Sequence, residues 1–171
     1  QAPLAEVTGQ VQSIAVLHGL QGRSQAEQVW LCELVREVAQ GVGALWGLAV
    51  AVELPPRPLA CTLQAAEAVP LALIVHELIV NAVKHGGLRH QDVRVVLSPG
   101  AHQGEACIAI SNTGRWPAQG PDAAQVGLEL VAALMPRSGA ALALEQQGER
   151  ALARLCLQPP VLQAGQGELN H

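Results

Sequence analysis

The chain has 171 residues, half of them apolar, and a formal charge of −4, enough for one core-bearing domain with an appendage. Its few cations are scattered, so no basic patch of the kind that binds nucleic acid is present, and no DNA- or RNA-reading motif appears. With three Trp and no Phe or Tyr, the core must be assembled from Leu, Val, Ile and Ala.

In chain order, Leu4, Val7, Val11, Ile14 and His18 recur in steps of three and four, the spacing of a seam on a helix that packs against partner helices. That helix should end near residues 19–22. A second helix is expected over 25–42 with Ser24 as its N-cap, turning Val29, Cys32, Leu34, Val35 and Val38 inward and Glu33 with Arg36 or Glu37 outward. Residues 48–54 read as a strand stopped by Pro55-Pro56-Arg57-Pro58, and 59–63 as a short second strand. A long helix over 65–85 follows, with Pro70 marking a kink or its true start. Strands over 93–97 and 106–111, a Gly- and Pro-rich loop over 112–124 and a helix over 126–135 come next. Two last strands, 141–145 and 151–157, read as a hairpin turning at Gln147-Gly148, and the tail after Pro159 as loose. This order predicts an α+β fold, a two-layer sandwich with helices on one face of a mixed sheet.

Cys32, Cys61, Cys107 and Cys156 form no Cys-x-x-Cys pair and sit in apolar segments, which reads as buried reduced thiols. No histidine stands at zinc-ligand spacing from a cysteine, so a structural zinc site is the minor alternative. The apolar stretch 42–52 is too short to span a bilayer, and no signal-peptide pattern appears. No membrane contact and a cytoplasmic location are the expectations. The start at Gln1 without a methionine suggests a fragment or processed product.

The chemistry concentrates in His76-Glu77-Leu78-Ile79-Val80-Asn81-Ala82-Val83-Lys84-His85-Gly86. At about 100° per residue, Glu77, Asn81 and Lys84 fall within roughly 60° of one another on a helix, with His85 beside them. Leu71, Val75, Leu78, Ile79 and Val83 make the rest of that helix apolar. Lys84 is the only lysine, beside nine arginines. An Asn oxygen can join a magnesium shell, a carboxylate can orient or deprotonate a nucleophile, and a cation can offset phosphate charge. A solvated polar face is the plain structural reading of the same stripe.

Glu77, Asn81, Ala82, Lys84 and His85 together match the asparagine box of the Bergerat-fold ATPases. Downstream, Ile110-Ser111-Asn112-Thr113-Gly114, a loop over 115–126, and Val126-Gly127-Leu128-Glu129-Leu130-Val131 resemble the first glycine box, lid and second glycine box of histidine-kinase ATPase domains. The resemblance runs over about residues 13–159 and is closest to the HWE and related sensor kinases, whose dimerisation bundle closes with a segment like Val11 to His18. It implies residues 1–23 as the end of that bundle, 24–160 as an ATP-binding catalytic domain and 161–171 as a flexible tail. It further implies ATP and Mg2+ as ligands, a response-regulator receiver domain as partner, and a homodimer formed through the N-terminal helix. The roles it implies are Asn81 on magnesium, Glu77 polarising the attacking imidazole, Lys84 or His85 facing phosphate, and Asn112 reading adenine. Gly114 would let backbone approach the base, and Gly127 with Leu128 would open a helix toward phosphate.

This sequence departs from the family pattern at three positions. Asn112 stands where the family has Asp; an amide oxygen can accept the same adenine proton through a bond weaker by about 1 kcal/mol. Trp116 replaces the second glycine of the first box and Gln125 the leading glycine of the second. The lid lacks the phenylalanine motif of many kinases. The phosphoacceptor is expected outside this fragment, because the seam position of His18 suits a packed, hydrogen-bonded histidine, and His90, His102 and His171 read as surface residues. Two other readings follow from the same residues: a degenerate ATPase-fold adaptor or phosphotransfer protein without nucleotide binding, and an anti-sigma-type serine kinase.

Overall fold

The computed structural model describes residues 28–56, 59–86, 92–116 and 128–165. The expected seam helix, the Ser24 cap and most of the lid lie outside them. Strand β1 (Gln28–Trp30) runs straight into helix α1 (Leu31–Trp46), followed by β2 (Ala51–Glu53), β3 (Cys61–Gln64) and the long helix α2 (Ala65–His85). Then come β4 (Arg94–Pro99), β5 (Ala106–Thr113), the short helix α3 (Glu129–Leu134), β6 (Ala140–Gln147), β7 (Arg150–Leu157) and β8 (Leu162–Ala164).

The helix expected from residue 25 begins at Leu31. Residues 28–30 are extended because they pair antiparallel with β3, Gln28 opposite Gln64 and Trp30 opposite Thr62, and Trp30 caps α1 without a side-chain bond. From there the inward set holds as expected, with Cys32, Leu34, Val35 and Val38 buried and Val42 added one turn on. The helix stops at Gly47, whose φ of 67° is the left-handed cap that glycine takes without a Cβ clash.

Five strands form the main sheet in the order β2-β4-β5-β7-β6. It is mixed, as expected: β2 runs parallel to β4, and every other neighbour is antiparallel. The helices cover one face. α2 packs against α1, α3 and β5, and Leu71, Ile74, Val75, Leu78, Ile79 and Val83 meet Val95, Leu97, Ile108, Ile110 and Leu155 in one core. Removing each such side chain from water stabilises the fold by about 1.5–3 kcal/mol. By length and composition α2 could cross a membrane, with a mean hydropathy of 1.6, yet 61% of its most apolar window is buried, as in the central helix of a packed domain. It runs unbroken through Pro70.

Two further expectations are corrected. The chain after Pro159 is ordered through Ala164: Val161 and Leu162 are buried, and β8 pairs with β3 to complete a second sheet, β1-β3-β8. Only residues 166–171 of the expected tail lie outside the described chain. Nor are all four thiols reduced, for Cys107 and Cys156 are direct partners in the β5–β7 ladder and form a disulfide, with Cα atoms 4.1 Å apart. Their 49-residue separation hid the pair. Cys32 and Cys61 are free, and burial pushes both thiols above their usual pKa.

Candidate nucleotide site

α2 carries the polar stripe along its second half. Glu77 is mostly covered, its side chain 15% exposed, and its Oε1 lies 3.5 Å from Nδ1 of the fully buried His76. Asn81 is half-buried one turn further on, and Lys84 and His85 are exposed in the last turn. The polar line therefore rises from the core toward solvent.

The C-terminal end of α2 meets the C-terminal end of β5. Asn112 is on the helix-facing side of β5 and only 6% exposed. Its Nδ2 donates to the Thr113 carbonyl at 3.1 Å, which turns the amide oxygen the other way. Gly86, just past α2, leaves room where a Cβ would stand 3.0 Å from the Ala82 carbonyl and 3.7 Å from Asn112 Cβ. At Gly114, φ is +149°, and a Cβ would stand 3.2 Å from Asn112 Nδ2 and 3.5 Å from the His85 carbonyl. Both the backbone conformation and the space suit glycine alone. Asn112, Gly114 and the His85–Gly86 backbone thus form one cradle.

Leu128 caps α3 and is buried in the core, its carbonyl accepting from the Ala132 amide at 3.0 Å. Its side chain is a packing group, so any ligand contact there falls to backbone. Gly127 and Gln125 lie outside the described residues. Trp116 is held against β6: its Nε1 donates to the Glu145 carbonyl at 2.7 Å, and its amide to Gln146 Oε1 at 3.0 Å. The indole is therefore anchored two strands from Asn112.

Sequence reading missed a second cluster, on the opposite face of the sheet. Arg150 donates to Asp92 Oδ2 at 2.7 Å, to the Asp92 carbonyl at 2.9 Å, and to Ser111 Oγ at 3.0 Å from Nη2 and 3.2 Å from Nε. Thr113 Oγ1 donates to the same Asp92 carboxylate. That bond first, then the Arg150 guanidinium and Arg94, hold the Asp92 carboxyl below its ordinary pKa. The clamp secures the end of β5 from behind, on either side of Asn112. Its members lie 39 and 58 residues apart, so no local pattern announces it. His76 and Gly86 were legible as parts of the motif but carried no assigned role.

No protein-family model matches the chain, and no curated protein matches its sequence. Solved structures do share its fold. The Erythrobacter litoralis EL346 blue-light activated histidine kinase superposes with a TM-score of 0.66 at 18% identity, over 87% of this chain and 47% of that one. The catalytic domain of histidine kinase ThkA gives 0.56 at 15% identity, over 77% and 93%. Histidine kinase ThkA in complex with response regulator protein TrrA gives 0.55 at 12% identity, over 85% and 46%. The chain thus spans about half the length of the blue-light kinase that it matches. The mixed sheet with a helix layer on one face is the fold that this chain shares with the catalytic domains of histidine kinases.

Proposed function

We propose that this chain binds Mg-ATP as the catalytic domain of a two-component sensor histidine kinase and delivers the γ-phosphoryl group to a histidine outside the fragment. The carrying observation is the cradle, in which a buried Asn112 and two glycines meet the end of the helix that bears Glu77, Asn81 and Lys84. Its donor set fits the ligands. Asn81 offers an oxygen atom of the kind magnesium prefers, and Glu77 leaves a carboxylate for the nucleophile. Lys84 and His85, exposed at the end of the stripe, would face phosphate. The oxygen of Asn112, left by its Nδ2 bond to Thr113, suits an adenine amino proton. Bound magnesium would neutralise phosphate oxygens and leave the terminal phosphorus open to attack.

In this reading Glu77 is the catalytic group, its carboxylate directed at the incoming imidazole, with the buried His76 3.5 Å from its Oε1. Gly114 admits backbone to the base, and the Leu128 backbone at the start of α3 would serve the phosphate side; Gly127, given the same role by the resemblance, lies outside the described residues. The complex of ThkA with a response regulator supports a receiver domain as the downstream partner. Dimerisation through the N-terminal helix and a cytoplasmic location belong to the same proposal.

Thermal unfolding with and without Mg-ADP or Mg-ATP, with GTP as control, tests it. A ligand at about 100 times its Kd adds roughly 2.7 kcal/mol to the folded state, several degrees in Tm. A magnesium-dependent shift confined to adenine nucleotides is expected; no shift at millimolar nucleotide would overturn the assignment. Asn81→Ala should remove the magnesium-dependent part and leave the ligand-free Tm nearly unchanged, and equal binding by the variant would exclude Asn81 as a magnesium ligand.

A further inference from the structure

The disulfide lies on the outer face of the sheet, away from the nucleotide cradle. Cys107 and Cys156 are opposite one another in the β5–β7 ladder, and neither belongs to the core that the helices cover. Glu105, two residues before Cys107, shares its face by the alternation of a strand. The β4–β5 turn pins it there: the Gly100 amide donates to the Glu105 carbonyl at 2.7 Å, and the Ala101 amide to Glu105 Oε1 at 3.3 Å. This carboxylate oxygen is 3.6 Å from Cys107 Sγ. The ligand atoms of Glu105, Cys107 and Cys156 all lie within 4.8 Å of one another.

Those spacings match a metal coordination shell. With metal–sulfur bonds of about 2.3 Å and metal–oxygen bonds of about 2.0–2.2 Å, a tetrahedral zinc site places neighbouring S and O ligands roughly 3.5–3.7 Å apart. The Glu105–Cys107 separation already has that value, and the two sulfur atoms need only part from bonding to non-bonded distance.

We propose that reduction converts this disulfide into a zinc-type metal site, in which the Cys107 and Cys156 thiolates and the Glu105 carboxylate bind one divalent cation with water as fourth ligand. A dithiol reductant breaks the Sγ–Sγ bond, passing two electrons and two protons to the cysteines and becoming a disulfide itself. Cation binding then releases both thiol protons. Reoxidation returns two electrons to a disulfide oxidant and expels the metal. In either state β5 and β7 are cross-linked at the same rung, by a covalent bond or through a cation.

Cobalt(II) is the probe. The full chain, reduced with a phosphine under anaerobic conditions, should bind one equivalent at this site, with thiolate-to-cobalt absorption in the near ultraviolet and the visible bands of a tetrahedral ion. Zinc should displace it. The oxidised chain, identical in sequence, should show no such bands from this pair. Cys107→Ser with Cys156→Ser should abolish the signal, Cys32→Ala with Cys61→Ala should keep it, and Glu105→Gln should weaken binding at least about tenfold. A reduced chain without thiolate-to-cobalt bands would overturn the proposal. So would bands that survive loss of Cys107 and Cys156 and disappear with Cys32 and Cys61, or full affinity in Glu105→Gln.

Discussion

Along β5, Ala106, Ile108, Ile110 and Asn112 look toward the helices, whereas Cys107, Ala109, Ser111 and Thr113 look away. The inner set is buried against α2 and its neighbours by packing, which has no preferred direction and needs only apolar surface of suitable shape. The outer set is held by directional bonds: the disulfide at Cys107, the Arg150–Asp92 clamp at Ser111 and Thr113, and the Arg154–Glu145 pair on the adjoining strands. Asn112 is the exception that makes the difference useful. It is a polar residue on the packed face, held from behind by bonds that its neighbours make on the other face.

That contrast can be broken at several points. Ile108→Ala removes a fully buried inner side chain and should cost about 2–5 kcal/mol in denaturant unfolding; a loss under about 1 kcal/mol would mean that the inner face is not the main source of stability. Arg150→Met removes the clamp but keeps much of the side-chain bulk. It should cost about 1.5–3 kcal/mol, the range for hydrogen bonds to charged groups, and should weaken nucleotide binding by loosening the end of β5. Unchanged binding with reduced stability would separate the clamp from the site.

A smaller effect comes from pH. Because the folded state lowers the Asp92 pKa, the folded protein holds that proton less tightly than the unfolded chain. Its stabilising contribution is complete above the ordinary carboxylate value of 3.8 and is lost as pH falls below it toward the folded value. Thr113→Val combined with Arg150→Met, which removes the two main partners of the Asp92 carboxylate, should flatten the dependence of Tm on pH in that acid range, and an identical slope would assign the loss to other carboxylates. Smallest of all, Asn112→Asp should tighten adenine nucleotide binding by about 1 kcal/mol, roughly fivefold, by adding charge to the same hydrogen bond. Weaker or equal affinity by calorimetry would remove Asn112 from base reading.

Sequence by itself determined the helix that bears Glu77, Asn81 and Lys84, the strands of the main sheet to within a few residues, and the family they resemble. Those signals are local: a 3.6-residue period, alternation, and turn residues act within a few positions of one another. Tertiary structure decided what distant segments do together. Residues 28–30 became a strand because β3 offers them a partner, and the chain past Pro159 was ordered by the other edge of that strand. Cys107 met Cys156, and Arg150 met Asp92, through the register of β5 with β7 and the return of β4 alongside. Asn112 became a cradle residue only where β5 ends against the last turn of α2, with Gly114 and Gly86 allowing the approach. Each of these depends on pairing across long stretches of chain, which composition and periodicity do not encode because no single segment carries both partners.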